Sequence, residues 1–174
     1  MEIDIKSHCT ICDNRIYDFQ TGAICGLTNE APNFSQKCKY IKPEKKLEEK
    51  IVEVHTKLKL VTKTKTDTIS HFIFFTILNI LIVTVYYFLV TYDMYNGYVP
   101  GIRFVIVGSL CLLGIAIGPI HKYRRDYKIA KNNKERLDAL LKIYKLDYEV
   151  SVDIINEAHG DYDVEKQVKI FRVG

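Results

Sequence analysis

The sequence predicts a mostly α membrane protein: a transmembrane helical hairpin, with a small four-cysteine module ahead of it and cytoplasmic helix and a short C-terminal β-hairpin behind it. Three observations carry this. No charged residue occurs from Thr68 to Tyr92, and none from Phe104 to His121. A short polar run rich in Gly, Pro and Asn separates the two stretches. Four of the five cysteines fall within the first 40 residues. The predicted order is a cysteine module over 1–42, a charged juxtamembrane helix and linker over 43–67, and a first transmembrane helix over 68–92. An extracytoplasmic turn over 93–100, a second transmembrane helix over 101–121, and a basic helix with a hairpin over 122–174 complete it.

About 20 helical residues cross the hydrocarbon core of a bilayer, so the stretch 68–92 is long enough to span with some tilt. The second charge-free stretch is shorter, but Arg103 can snorkel outward while His121 and Lys122 lie at the opposite interface. Only a helix satisfies its own backbone in lipid without a partner, so both are read as helices. Buried helices of a soluble core are the bland alternative, and such length without charge argues against them. The connection is too short for anything but an antiparallel hairpin.

Charge sets the direction. Residues 39–65 hold nine Lys against four Glu, and residues 121–136 hold seven Lys or Arg against two acids. The positive-inside rule then places both termini in the cytoplasm, with the turn facing outward. Tyr86, Tyr87, Tyr92, Tyr95 and Tyr98 at one end, with Tyr123 and Tyr127 at the other, read as interfacial belts. The N-terminal run Met1-Glu-Ile-Asp-Ile-Lys6 lacks a signal-peptide pattern, so the first span is expected to act as its own insertion signal. A net charge of +4 is modest. The basic clusters read as topology determinants and anionic-lipid contacts, and no specific nucleic acid partner is expected.

Cys9, Cys12, Cys25 and Cys38 are spaced C-x2-C-x12-C-x12-C. In a reducing cytosol disulfides rarely persist, and four thiolates on a segment too polar to form a core point to a tetrahedral structural Zn²⁺. Cys-x-x-Cys turns tightly enough for two sulfurs to face one ion, and Gly22 and Gly26, which bracket Cys25, permit a second turn. An iron–sulfur cluster also takes four thiolates. A redox pair at Cys9 and Cys12 is weaker, because no βαβ pattern surrounds it. His8 is expected to be an exposed neighbour, and Cys111, in the second span, a small apolar residue.

The run from His8 to Cys38 carries C-x-x-C-x-N-x-x-x-D, then G-x-x-C-x-L-T, then P-x-F-x-x-x-C. In this it resembles a segment of uncharacterised Bacteroidetes two-span membrane proteins. The resemblance covers about a fifth of the chain, together with the layout of a cysteine segment before two spans. It implies a bacterial inner-membrane protein and brings no activity with it.

Beyond the module, Pro43 suits a first helical turn, and Glu44, Glu48 and Glu49 suit the positive end of a helix dipole. Leu47, Ile51, Val54, Leu58 and Val61 recur at steps of 4, 3, 4 and 3, a two-heptad seam. It is expected to pack either on the helix after the second span or on another subunit, while His55, off the seam, points to water. The run Thr62–Thr68 continues the helix or forms an extended basic collar, with Thr66 and Asp67 as caps for the first span. From Lys122 to Lys145 a basic amphipathic helix presents Ile129, Leu137, Leu140, Leu141 and Tyr144. Alternation at Tyr148, Val150, Val152 and Ile154, and again from Val164 to Val173, predicts a two-stranded hairpin, with a terminal helix over 148–158 as the rival. A lone hairpin needs a partner surface.

No phosphate-binding glycine loop, G-x-S-x-G or H-E-x-x-H occurs, and no enzymatic activity is expected. His71 and Asn79, eight residues apart on one face of the first span, form a candidate intramembrane polar site, broadened by Thr76 and Thr84. The bland account is an interhelical hydrogen bond from Asn79 and an interfacial His71. Gly108, Gly114 and Gly118 in the second span are candidate helix-packing residues, serving the hairpin or self-association.

Three functions follow. The first is a non-enzymatic, oligomeric membrane protein with a zinc-stapled cytoplasmic surface for assembly or a protein partner. The second is an oligomeric channel or pore acting as a stress or phage-defence effector. The third is a metal or redox sensor working through the four cysteines.

Overall fold

The computed structural model describes residues 5–19, 22–34, 36–93, 101–158 and 161–172. In chain order its elements are α1 (Ile5–Thr10), β1 (Arg15–Asp18), β2 (Gly22–Cys25), α2 (Lys45–Asp93), α3 (Ile102–Ile143), β3 (Leu146–Ala158) and β4 (Asp161–Arg172). The chain divides into two compact units, Met1–Lys59 with Ile129–Gly174, and Leu60–Lys128. The turn expected at 93–100, with Tyr95 and Tyr98, lies outside the described residues except for Asp93, which ends α2.

Of the two readings of 62–68, the helical continuation is the one found. Residues 62–68 are helical, so α2 is one helix of 49 residues and Thr66 and Asp67 cap nothing. The hydroxyl of Thr64 bonds to the carbonyl of Val61 and that of Thr68 to the carbonyl of Thr64, each at 2.8 Å. A run of polar β-branched residues thereby satisfies its hydroxyls within the helix instead of drawing the backbone out of it. The basic helix after the second span is likewise the continuation of α3, which is 42 residues long and holds Pro119 inside it.

In the first unit, Leu47, Ile51 and Val54 of α2 pack with Ile11 and with Leu137, Leu140 and Leu141 of α3. Leu47, Ile51 and Val54 of the seam are therefore buried within the chain, against α3. Leu58 is only half-buried. On α3 the expected Ile129 is 52% exposed and its neighbour Ala130 is buried in its place. Residues 130, 137, 141 and 144 keep one face by steps of seven, four and three, and position 129 falls about 100° away from it.

The C-terminal hairpin is present and the rival terminal helix is not. β3 and β4 pair antiparallel, with Leu146 opposite Arg172, Val150 opposite Val168 and Ile154 opposite Val164, and a bulge between Ile154 and Asn156. Period-two alternation turns Leu146, Tyr148 and Val150 inward with Val168 and Ile170 onto the α2–α3 core. That core is the partner surface that a two-stranded sheet requires. Lys59 adds an ion pair to Asp153 at 2.8 Å and bonds to the carbonyl of Val152.

In the second unit the helices expose their apolar side chains. Ile73, Phe74, Ile77, Ile80 and Leu81 of α2 are 50–61% exposed, and Phe104, Val107 and Leu110 of α3 60–83%. Both helices are long and apolar enough to cross a membrane, and only 6% of the most apolar window of each is buried. The core helix of a soluble protein would be mostly buried, and these two windows are not.

Asn79, 6% exposed, joins α2 to α3: its side-chain amide donates to the carbonyl of Ser109 at 3.0 Å, and its carbonyl oxygen accepts from the Ser109 hydroxyl at 2.7 Å. His71 is exposed and stacks on Phe75 at 6.3 Å, so the structure does not bring it to Asn79. The Thr84 hydroxyl bonds back to the carbonyl of Ile80 at 2.8 Å.

The three span glycines do not pack in the hairpin. A methyl group added at Gly108, Gly114 or Gly118 meets nothing within 4 Å. Ala116, 1% exposed, is the small residue that is buried. It stands two residues from both Gly114 and Gly118, so roughly 200° of helical rotation carries each glycine to the opposite side.

Candidate metal centre

The cysteine module is built from short turns. In Cys9-Thr-Ile-Cys12 the Cys12 N–H returns to the Cys9 carbonyl at 3.3 Å, and the Arg15 N–H then bonds to the Cys12 carbonyl at 3.2 Å. The chain leaves through β1 and comes back through β2, with Arg15 opposite Cys25. After Cys25 a second turn closes: the N–H groups of Thr28 and Asn29 bond to the Cys25 carbonyl at 3.2 and 2.7 Å, and Asn29 adopts φ 54°.

Gly26 is demanded by close approach. Its N–H bonds to the Asn14 carbonyl at 2.7 Å, and a Cβ there would stand 2.9 Å from that oxygen and 2.8 Å from Ile16 Cδ1. Gly26→Ala is expected to cost about 1–3 kcal/mol by overpacking. Faster alkylation of Cys25 in the folded variant checks it, and Gly114→Ala, facing open space, is the neutral control.

Cys9, Cys12, Cys25 and Cys38 all line one cavity of about 230 Å³. All four are free thiols, Cys12 buried and the other three half-buried. The fifth, Cys111, is exposed on α3. Burial pushes the Cys9 thiol up, and the charges of Cys12, Cys38 and Cys25 push it further. The turn after Cys25 works the other way: the N–H of Leu27 holds that thiol down, with the N–H of Thr28 assisting against desolvation. The Lys42 N–H points to Cys12 Sγ at 3.5 Å. Among the described residues, no three His, Cys, Asp or Glu side chains stand close enough to share one ion.

The donor types are those of a thiolate-bound metal, four thiols lining one small cavity without being drawn to one point. Cys12, Cys38 and Cys25 oppose ionisation of Cys9, and a divalent cation among them would reverse that repulsion. Cys9, Cys12, Cys25 and Cys38 are the residues that would hold it.

Two features join this module to the helices, and the sequence reading missed both. Asp13, next to Cys12, caps α2 from 32 residues away: its carboxylate accepts the N–H of Lys46 at 2.9 Å and that of Lys45 at 3.2 Å. Lys46 Nζ answers by donating to the carbonyls of Asp13 and Arg15 at 3.3 and 2.7 Å. The only local signal was negative: Lys42-Pro-Glu-Lys45 contains no Ser, Thr, Asn or Asp to cap the helix.

Desolvation opposes ionisation of Asp13, but the N–H groups of Lys46 and Lys45 and the Lys46 charge outweigh it and hold the carboxyl below its ordinary value. The cap therefore contributes fully above about pH 4 and is lost as pH falls through the lowered folded value. Asp13→Ala is expected to cost about 1 kcal/mol at pH 7. The difference from wild type should vanish in acid, as read by thermal melting.

Tyr144, at the end of α3, makes the second joint. Its hydroxyl lies 2.6 Å from His8 Nδ1 and accepts the Cys38 N–H at 3.0 Å. His8 is thus 3% exposed, packed edge-on against Phe34 and Tyr144, and not the exposed neighbour expected. Burial pushes its pKa down. His55 does not point to water either: its Nε2 lies 2.9 Å from the Tyr148 hydroxyl.

No family model matches this chain, and neither a curated protein nor a solved structure is significantly similar to it.

Proposed function

We propose that the chain is an integral inner-membrane protein of a bacterium, without enzymatic activity, whose zinc-stapled cytoplasmic domain forms an oligomeric assembly or partner-binding surface. The observation that carries this is the gathering of Cys9, Cys12, Cys25 and Cys38 around one cavity in a unit whose other elements are an α2–α3 core and a hairpin. Zinc held there would supply a cross-link between the two turns and the loop that leads from β2 to α2, in a module with little apolar content of its own. Both termini share the reducing side, consistent with five free thiols. The motif resemblance to two-span Bacteroidetes membrane proteins agrees with this placement.

The span contacts support a scaffold over a pore. Both ends of the Asn79 amide are engaged by Ser109, so that side chain acts as a tie between helices. A pore through this face would instead show conductance in liposomes that Asn79→Leu abolishes. A sensor would exchange its metal on oxidation, whereas a structural site holds zinc through oxidant treatment. The deciding experiment is the native mass of the detergent-solubilised protein with its metal content. A multimer carrying one zinc per protomer is expected; a metal-free monomer would overturn both halves of the proposal.

A further inference from the structure

A second cleft, of about 720 Å³, opens in the same unit away from the cysteines, beside the C-terminal end of α3 and the start of β3. Its size falls within the roughly 300–1,000 Å³ usual for small-molecule sites. Three ammonium groups border it, from Lys134, Lys142 and Lys145, and none of the three forms an ion pair among the described residues. The two acids of the lining are hydrogen-bonded within it, Asp138 accepting the Tyr148 hydroxyl at 2.7 Å and Asp147 the Tyr148 N–H at 2.9 Å, so the three ammonium groups exceed the two carboxylates by one charge.

The polar wall is fixed by a chain of hydrogen bonds across three elements. The Tyr148 phenol donates its one proton to Asp138, so its oxygen must accept from His55 Nε2–H. That bond sets the imidazole's tautomer and leaves Nδ1 as the nitrogen able to take a proton. Burial, then the nearby Lys134 charge, push the His55 pKa down, while Asp138 acts against them. A rigid wall beside unpaired cations is what a bound anion would need.

We propose that this cleft binds a phosphate-bearing anion through Lys134, Lys142 and Lys145. Lysines are point-charge donors suited to a tetrahedral group with several oxygens, whereas flat carboxylates are best met by the arginine fork, and no arginine lines this cleft. The phosphate has two sources, a soluble phosphorylated small molecule or a phospholipid headgroup. The site is separate from the metal centre and does not depend on it.

The test uses the full chain in phosphatidylcholine nanodiscs, titrated calorimetrically with inorganic pyrophosphate. A parallel set of nanodiscs contains phosphatidylglycerol and no pyrophosphate. Lysine acetylation read by mass spectrometry is the second measurement in both, and in wild type it needs no variant. Saturable binding that protects Lys134 and Lys142 is expected, weakened about tenfold or more by Lys134→Ala with Lys142→Ala. Lys131→Ala, whose side chain already pairs with Glu135, should leave it unchanged. Protection in the phosphatidylglycerol arm alone assigns the headgroup as the source. No protection in either arm, or binding indifferent to the double variant, overturns the proposal.

Discussion

On the proposed zinc site, treating the purified protein with a chelator is expected to release all four cysteines of the module to alkylation and to melt β1 and β2, while the two apolar helices keep their helicity. The expected effect is large because structural zinc contributes about 10–16 kcal/mol of apparent binding free energy in small finger peptides, where binding and folding are one event. Here part of the module is also held by the protein: Asp13 caps α2, and the Tyr144 hydroxyl meets His8 and Cys38. Loss of the metal should therefore slacken the turns around Cys9–Cys12 and Cys25 before Ile11, 0% exposed, leaves the core. Counting iodoacetamide adducts by mass spectrometry, with and without chelator, reads this residue by residue. Cys9→Ser should reproduce the chelated pattern at Cys12, Cys25 and Cys38. Identical adduct rates at all four positions before and after chelation would remove the metal from the account.

Ile51→Ala is expected to destabilise the first unit by about 2–5 kcal/mol, the cost of emptying a filled core position. Ile51 is 0% exposed and packs among Leu47, Val54, Leu137, Leu140 and Leu141, so its neighbours are held by two long helices and have little freedom to close the gap. Against a typical total of about 5–15 kcal/mol, that is a large fraction. The β3–β4 hairpin should loosen along with it, because Tyr148, Val150, Val168 and Ile170 rest on the same cluster. Ile77→Ala in the second unit, 59% exposed, is the control and should leave this unit's melting unmoved. Amide exchange across β3 and β4 is the measurement. Protection there that survives Ile51→Ala would show that the hairpin is held by something other than this core.

Much of the architecture was legible in local pattern. The charge-free stretches marked the two apolar helices because crossing length and composition are properties of the chain itself. Period two marked β3 and β4, and the steps of four and three marked the buried edge of α2, since a side chain's face follows directly from backbone periodicity. The C-x2-C spacing marked the first turn of the module for the same reason.

What local pattern missed depended on residues far apart in sequence. His8 and His55 read as exposed because nothing nearby covers them; Tyr144 covers one from 136 residues away and Tyr148 bonds the other from 93. Gly114 and Gly118 read as packing residues from their spacing, but which side of a helix faces its neighbour is decided by the neighbour, and here it is the side of Ser109 and Ala116.

The amino-acid order alone determined the two long apolar helices, the buried edge of α2 and the C-terminal hairpin, and which segments are apolar enough for lipid, because those properties arise between residues a few positions apart. Tertiary structure decided which side chains meet: Asp13 with the start of α2, Tyr144 with His8 and Cys38, His55 with Tyr148 and Asp138. Such meetings need the chain to close loops of tens of residues, and a hydrogen bond across such a loop leaves no periodic trace in the sequence.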